Sequence, residues 1–89
     1  MQYVYVLKSK KDKDLYVGCT KDLKARIILH NAKKVGSTAK RVPFVLIYYE
    51  AYINSIDAYN REKFMKTGYG RNYIKKVLSN FFISKNFNG

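Results

Sequence analysis

The chain has 89 residues and a mass of 10.4 kDa, which fits one small domain and leaves no room for a two-domain enzyme. Hydrophobic residues make up 47% and charged residues 27%, a balance typical of a folded globular chain and not of a disordered or low-complexity one. Lysine and arginine total 18 against 6 aspartates and glutamates, so the net charge of +12 disfavours cationic ligands and predicts a polyanionic partner, most simply nucleic acid.

The first part of the chain predicts a β-hairpin. Residues 2–8 carry β-branched and aromatic side chains on both faces, which predicts a strand that is buried on both sides. A charged segment over 9–14 separates this strand from a second, short strand over 15–18, as expected of a hairpin with a polar loop. Thr20 or Asp22 can then cap a helix.

A helix and a third strand follow the hairpin. Residues 22–33 are all compatible with a helix, with aspartate at the start and lysines at the end as the helix dipole favours, and we expect the helix to end near Gly36. A basic loop over 33–42 comes next, and Pro43 favours an extended start for the element after it. Residues 44–52 are nearly all apolar and β-favouring, which predicts a strand that is covered on both faces and lies in the middle of the sheet.

The last part of the chain predicts two helices. Asn54 or Ser55 can cap the first, over residues 56–67, and the second begins after Gly70 and runs to about residue 82. The order β-β-α-β-α-α predicts a small α/β (α+β) layer structure, with no internal repeat and no linker.

The boundaries and the single cysteine favour one intracellular domain. We expect a core over about residues 2–82 and a frayed tail over 83–89. Cys19 is the only cysteine, which excludes an intramolecular disulfide and favours a reducing, cytoplasmic compartment. The N-terminal residues become charged too early for a signal-peptide core or a membrane span of about 20 residues, so we expect no membrane contact.

Two polar residues lie on the apolar stripe of the first helix. At about 100° per residue, Arg26 and His30 fall within about 60° of Leu23, on the stripe that also holds Ile27. Because they are four residues apart, their side chains can reach the same point, and His30 is suited to proton chemistry. The alternative is an arginine at the edge of the core beside a hydrogen-bonded, partly buried histidine.

A carboxylate lies on the inner face of the second helix. Ala58, Glu62 and Met65 are spaced i, i+4, i+7, so Glu62 is expected to face inward with them. A buried carboxylate is costly unless it is paired or bound to a metal. A structural ion pair with a lysine or arginine is the alternative to a metal ligand.

Tyrosines are concentrated on the first two strands. The chain has nine tyrosines and no tryptophan, and Tyr3, Tyr5 and Tyr16 belong to the predicted hairpin. Strand alternation places Tyr16 on the face of Gly18, where the missing side chain is expected to leave space for a ligand. For any one tyrosine, packing with the hydroxyl at the rim is the alternative.

These residues form an ordered set of markers. The set is Tyr3-Val4-Tyr5, Tyr16-Val17-Gly18, Arg26-x-x-x-His30-Asn31, Pro43 before an apolar strand, and Arg61-Glu62-Lys63 with Lys66. Over residues 2 to about 78 it resembles the GIY-YIG endonuclease domain, in particular small single-domain proteins similar to the N-terminal nuclease part of the bacterial excision-repair incision subunit. The resemblance implies a three-stranded antiparallel sheet flanked by helices.

The resemblance also implies a divalent-metal DNA endonuclease. Tyr16 would help to activate the attacking water, and Tyr5 would orient the site. Arg26 would hold the scissile phosphate, while His30 would hydrogen-bond that phosphate or share the proton transfer. Glu62 would anchor one mostly hydrated Mg²⁺ or Mn²⁺.

Two positions depart from the motif. Tyr3 stands at the glycine of GIY, as a tolerated strand substitution. Cys19 stands where the repair nuclease has a lysine, so that contact is missing or is supplied by Lys21 or Lys66, and Cys19 itself is expected to pack as a small residue.

The partner is expected to be DNA, with RNA not excluded. The candidate nucleic-acid-binding residues, those of the loop being expected to be solvated, are Lys21, Lys33, Lys34, Lys40, Arg41 and Lys66. The alternative function is a binding module of the same fold that cuts poorly, with tyrosines stacking on bases and lysines following the backbone.

Overall fold

A computed structural model describes residues 1–84 of the chain. The strands are β1 (Gln2–Ser9), β2 (Leu15–Thr20) and β3 (Phe44–Tyr52), and the α-helices are α1 (Leu23–Asn31), α2 (Ser55–Met65), α3 (Gly68–Val77) and α4 (Ser79–Ile83). A single 3₁₀ turn, Ala39–Arg41, precedes β3. The predicted α+β class and the order β-β-α-β-α-α are confirmed, with α4 as an added short helix.

The three strands form an antiparallel sheet in the order β2-β1-β3. The central strand is therefore β1, and the prediction that β3 lies in the middle is wrong. The apolar run of β3 reflects the packing of helices on both faces of the sheet, which does not require hydrogen-bonded neighbours on both edges. The burial expected of β1 is confirmed, since Val4, Tyr5, Val6 and Leu7 are at most 1% exposed.

Each face of the sheet has its own hydrophobic core. On one face Tyr5, Leu7 and Phe44 pack with Leu23 and Ile27 of α1. The opposite core is built from β1, β2, α2 and α3, and its buried members are Val4, Val6, Leu15, Val17, Ala58, Met65 and Ile74. This division follows from strand alternation, because neighbouring residues of β1 point to opposite faces.

Side-chain caps set the starts of the helices. The Asp22 carboxylate accepts a hydrogen bond from the Ala25 N–H at the start of α1, and Asn54 Oδ1 accepts from Ile56 N–H at the start of α2. Of the two caps predicted for each helix, Asp22 and Asn54 are the ones used. A third cap, at Thr67 Oγ1, accepts from the Gly70 N–H in α3.

All three predicted helices end earlier than predicted, the second of them at Met65 and not near residue 67. The first ends at Asn31 and not near 33, because Lys33 adopts the left-handed region with φ of 62°. Asn31 also bonds both backbone groups of Phe44, at 3.1 and 2.7 Å, which fixes the end of α1 to the start of β3. The helix predicted to reach residue 82 is interrupted at Leu78, whose φ of −108° and ψ of 31° are not helical.

The tail predicted at the end of the chain lies mostly outside the described residues. Ile83 is the last residue of α4, and the tail predicted over 83–89 lies, from residue 85 on, outside the described residues. Between residues 1 and 84, none of the helices has the length and apolar character needed to cross a bilayer.

Gly70 provides a test of the packing between α2 and α3. A Cβ at this buried position would overlap the carbonyl oxygen of Phe64 and the Cα of Met65, both backbone atoms that cannot rotate away. We expect Gly70→Ala to lower the free energy of unfolding by roughly 1–3 kcal/mol or more in urea titrations.

Gly68→Ala is the matched control, because a Cβ at Gly68 meets nothing within 4 Å and alanine favours the helix. We expect Gly68→Ala to leave the stability unchanged or to raise it by up to about 1 kcal/mol. Equal stability of the two variants would contradict this packing.

Candidate active site

The site begins at the ring of Tyr5, in the middle of the central strand. Tyr5 lies opposite Gly18 in the register of β1 and β2, and a Cβ on Gly18 would overlap the Tyr5 ring and hydroxyl. The missing side chain of Gly18 therefore makes room for the phenol of Tyr5, and the expectation that this space admits a ligand is wrong. The glycine acts by fixing where that hydroxyl lies.

The Tyr5 hydroxyl is hydrogen-bonded to the only histidine of the chain. His30, fully buried at the end of α1, has Nε2 at 2.8 Å from the Tyr5 hydroxyl oxygen and Nδ1 at 2.8 Å from Thr38 Oγ1. Thr38 is also fully buried and donates its own proton to the Val35 carbonyl at 3.3 Å. Thr38 thus accepts from Nδ1–H, which assigns to His30 a bare Nε2 that accepts the Tyr5 proton.

Both members of this hydrogen bond are neutral near pH 7. Burial lowers the pKa of His30, and the nearby charge of Arg26 lowers it further. Burial raises the pKa of Tyr5, Arg26 opposes that shift, and the charges of Tyr16 and Glu62 add to it. A neutral imidazole and a neutral phenol form a stable pair that holds its geometry without a charge.

Tyr16 and Arg26 complete this part of the site. The half-buried ring of Tyr16 lies 5.0 Å from the His30 ring and 6.4 Å from the Tyr5 ring, between centroids. Arg26 is half-buried and close enough to Tyr5 and His30 to shift the pKa of both. Among residues 1–84, no carboxylate forms an ion pair with Arg26, so its charge is available to a bound anion.

Glu62 and Lys66 lie at the other side of the two tyrosines. Glu62 keeps only 18% of its side chain exposed and pairs with Lys66 at 2.9 Å. The bond to Glu62 raises the pKa of Lys66, and the nearness of Tyr16 and Cys19 adds to the shift. The charge of Cys19 thus affects Lys66, whereas Lys21 lines a groove along α1.

The acidic and sulfur side chains at the site could bind a metal ion through only a few protein ligands. Over residues 1–84 no group of three or more histidine, cysteine, aspartate or glutamate side chains could hold a metal. The carboxylate on this side of the site is that of Glu62, whose charge adds to the raised pKa of Tyr5. One carboxylate fits a Mg²⁺ or Mn²⁺ that keeps several waters and takes its other oxygens from a phosphate.

The basic residues singled out in the sequence differ in their surroundings. Lys33, Lys34 and Lys40 are exposed, on the segment that also brings Thr38 to His30. Arg41 is not solvated as expected, because it bonds Asp12 at 2.6 Å and lies 5.4 Å from the centroid of the Phe44 ring. Since this contact fastens the hairpin loop to the start of β3, Arg41 has a structural role.

One partly buried cluster was not predicted from the sequence. Glu50 accepts two hydrogen bonds from Arg61, at 2.8 and 3.0 Å, and one each from the hydroxyls of Tyr48 and Tyr52. Burial works to raise the pKa of Glu50, but these donors outweigh it and lower the pKa to about 2. The alternation of β3 carried the only signal, since Tyr48, Glu50 and Tyr52 share one face.

Comparison with known proteins gives a family match over most of the chain. Residues 1–76 match the family described as the GIY-YIG catalytic domain. A UPF0213 protein of Staphylococcus haemolyticus is 40% identical over 76 residues, which cover 84% of this chain and 92% of that protein. A UPF0213 protein of Pediococcus acidilactici is 36% identical over 88 residues, covering 96% of this chain and 89% of that protein. No solved structure matches the chain significantly.

The lowered pKa of His30 predicts a pH dependence of stability. An unfolded chain binds a proton at the ordinary histidine pKa of about 6.5, whereas the folded chain resists protonation, so the unfolded state gains protons first as the pH falls. We expect the free energy of unfolding of the wild type to decrease between about pH 7.5 and 5.5, above the range in which carboxylates titrate.

His30→Gln provides the control, because His30 is the only histidine and glutamine does not titrate. Urea titrations of this variant should give a stability that is nearly constant over the same range of pH. A wild type with constant stability, or a variant with the same decrease, would contradict the buried neutral histidine.

Proposed function

We propose, since this chain belongs to the GIY-YIG catalytic domain family, that it is a divalent-metal-dependent endonuclease that hydrolyses phosphodiester bonds in DNA. The observation that carries the proposal is the convergence of four side chains from β1, β2 and α1 on one point. These are Tyr5, Tyr16, Arg26 and His30. Together they supply an available positive charge, two hydroxyls and an imidazole, which are groups suited to the cleavage of a phosphate ester.

Arg26 is proposed to hold the scissile phosphate. Its charge is balanced by no carboxylate ion pair within residues 1–84, and its partial burial strengthens the attraction to an anion. A guanidinium donates two parallel hydrogen bonds to phosphate oxygens, so it both orients the phosphate and stabilises the charge that develops on it.

Tyr16 is proposed to help activate the water, while Tyr5 and His30 orient the site. Tyr5 is buried and has a raised pKa, so it remains a hydrogen-bond donor to His30. Tyr16 is only half-buried, with its ring beside that of His30, and can contact water. The bare Nε2 of His30 is also the nearest nitrogen that could share a proton through Tyr5.

Glu62 is proposed to hold the cation, as Mg²⁺ or Mn²⁺. When bound, such a cation supplies positive charge that stabilises the leaving oxygen. Glu62 has to give up or share its bond to Lys66 for this purpose, and Lys66 is 54% exposed and free to turn towards the DNA backbone. Lys66 would thereby take the place of the motif lysine that Cys19 replaces.

The net charge of +12 and the exposed lysines favour DNA as the partner, with RNA as a second substrate to be compared. A cytoplasmic role similar to that of the excision-repair incision subunit belongs to the same proposal, based on the single cysteine and on the motif. The second candidate is a binding module that does not cut. The Glu62–Lys66 ion pair favours it, because a carboxylate that already has a partner needs no metal.

Cleavage by active-site variants tests the proposal. We expect the wild type to nick supercoiled plasmid with Mg²⁺ or Mn²⁺ and not with EDTA. Tyr16→Phe removes one hydroxyl, so the cleavage rate should fall by roughly 10²-fold or more. Arg26→Lys keeps the charge but loses the planar fork, and Glu62→Gln removes the metal ligand, so both should also lose cleavage.

The control for Tyr16→Phe is the same change at Tyr69, which is 81% exposed and lies on α3 at the opposite face of the sheet. It should cut like the wild type, and all variants should melt near the wild-type temperature. Unchanged single-turnover cleavage in Tyr16→Phe and Arg26→Lys would contradict these roles. A wild type that cuts neither DNA nor RNA with any divalent metal would favour the binding module.

The exposed lysines predict a salt-dependent affinity for duplex DNA. If the surface contacts roughly 4 to 6 phosphates, the logarithm of the association constant should fall against the logarithm of the salt concentration with a slope of about −4 to −5. Replacing Lys33, Lys34 and Lys40 by alanine should weaken binding across sequences and reduce the slope by up to about 3 units.

Arg41 is left unchanged in this test because of its structural bonds. The matched control replaces Lys75 and Lys76, which are exposed on α3, and is compared with a double variant of Lys33 and Lys34 that removes the same charge. A slope near zero for the wild type, or an equal effect of the two double variants, would contradict a DNA-binding surface beside α1.

A further inference from the structure

A groove lies beside the candidate site on the same face of the sheet. It has a volume of about 590 Å³ and runs between the first turns of α1 and the strands β1 and β3. The residues that matter for its chemistry are Tyr3, Lys21, Leu23, Lys24, Ile27 and Tyr49. Two exposed lysines and two tyrosines thus surround a surface that is apolar at Leu23 and Ile27.

We propose that this groove binds a single unpaired DNA base, next to the phosphate held at Arg26. The inference rests on the proposed function for the position of the scissile phosphate, and it adds a preference for a strand with an unpaired nucleotide at the cleavage site. Three observations support it: the exposed ring of Tyr49 beside the half-buried ring of Tyr3, the distance of these rings from Tyr5, and the charges around them.

The aromatic rings provide a stacking surface. The Tyr3 and Tyr49 rings pair at 6.0 Å between centroids with an angle of 65° between planes, and Tyr49 remains 53% exposed. Exposed aromatic rings stack on bases regardless of sequence, because every base has a π-face. Since Tyr3 occupies the glycine position of the GIY motif, a chain that keeps the glycine lacks this part of the groove.

The position of the groove suits the neighbouring nucleotide. Tyr3 lies two residues before Tyr5 on the same face of β1, so the two are about 7 Å apart along the strand, and Tyr49 is the register partner of Tyr5 on β3. Arg26 on α1 lies close enough to Tyr5 to affect its pKa. A nucleotide that contacts Tyr49 is thus adjacent to the phosphate at Arg26.

The charge and the size of the groove favour an unpaired nucleotide. Lys21 and Lys24 are exposed and match the phosphates that flank a base, while the Asp22 carboxylate between them is engaged by the Ala25 N–H. A volume of about 590 Å³ is in the range of pockets for small molecules. A base within a continuous duplex presents only its edges, because its faces are covered by its neighbours, so stacking on Tyr49 requires an unpaired base.

The test measures binding in EDTA, so that cleavage does not enter. The probes are a fluorescent octamer of thymidylate, an octamer of abasic residues with the same number of phosphates, and a hairpin duplex. We expect Tyr49→Ala to weaken binding of the thymidylate octamer by about 10-fold, with less than about 2-fold change for the abasic octamer and the duplex. The matched control is Tyr69→Ala, which removes an exposed tyrosine from the opposite face and should change none of the three.

Two results would overturn the proposal. The first is an unchanged affinity of Tyr49→Ala for the thymidylate octamer, and the second is an equal loss for the abasic octamer, which would mean that the base is not involved. Circular dichroism and thermal melting should show that Tyr49→Ala folds, as its exposure leads us to expect. If Tyr49→Ala shows no base-dependent loss but the wild type nicks plasmid, the groove proposal fails and the nuclease proposal stands. If the wild type cuts nothing but Tyr49→Ala shows the base-dependent loss, the groove proposal stands and the nuclease proposal fails.

Discussion

The buried hydrogen bond from the Tyr5 hydroxyl to Nε2 of His30 joins the central strand to α1, and the candidate site is arranged around it. Each of its ends depends on a further residue. Gly18 leaves the space in which the Tyr5 ring lies, and Thr38 accepts the proton of Nδ1. Since all these groups are buried, the loss of any one leaves a polar atom unpaired or a ring displaced, at a cost of about 1–3 kcal/mol.

The two faces of the sheet carry different kinds of charge pairing. On the α2 and α3 face, Glu50 and Arg61 satisfy each other and are held by two tyrosine hydroxyls, so this cluster is closed to ligands. Towards α1, Arg26 retains a charge without a carboxylate ion pair among residues 1–84. The charges of Glu50 and Arg61 are thus matched within the protein, whereas the charge of Arg26 is available to an anion.

The sequence predicted the elements well because their signals are local. The strand pattern of β1, the caps at Asp22 and Asn54, and the proximity of Arg26 to His30 follow from spacing along one element. The order of the strands, the partner of Gly18 and the role of Thr38 depend on contacts between residues far apart in the chain. Composition predicts a basic loop that is solvated throughout, because it does not reveal that Arg41 bonds Asp12, 29 positions earlier in the chain.

The protonation of the His30 ring tests the account most directly. Long-range ¹H–¹⁵N NMR spectra distinguish the two ring nitrogens, and only one histidine is present to assign. At neutral pH the account predicts a neutral ring with its proton on Nδ1 and a bare Nε2 whose signal shifts in Tyr5→Phe. A proton on Nε2, or a doubly protonated ring at that pH, would contradict the hydrogen-bond chain from Tyr5 through His30 to Thr38.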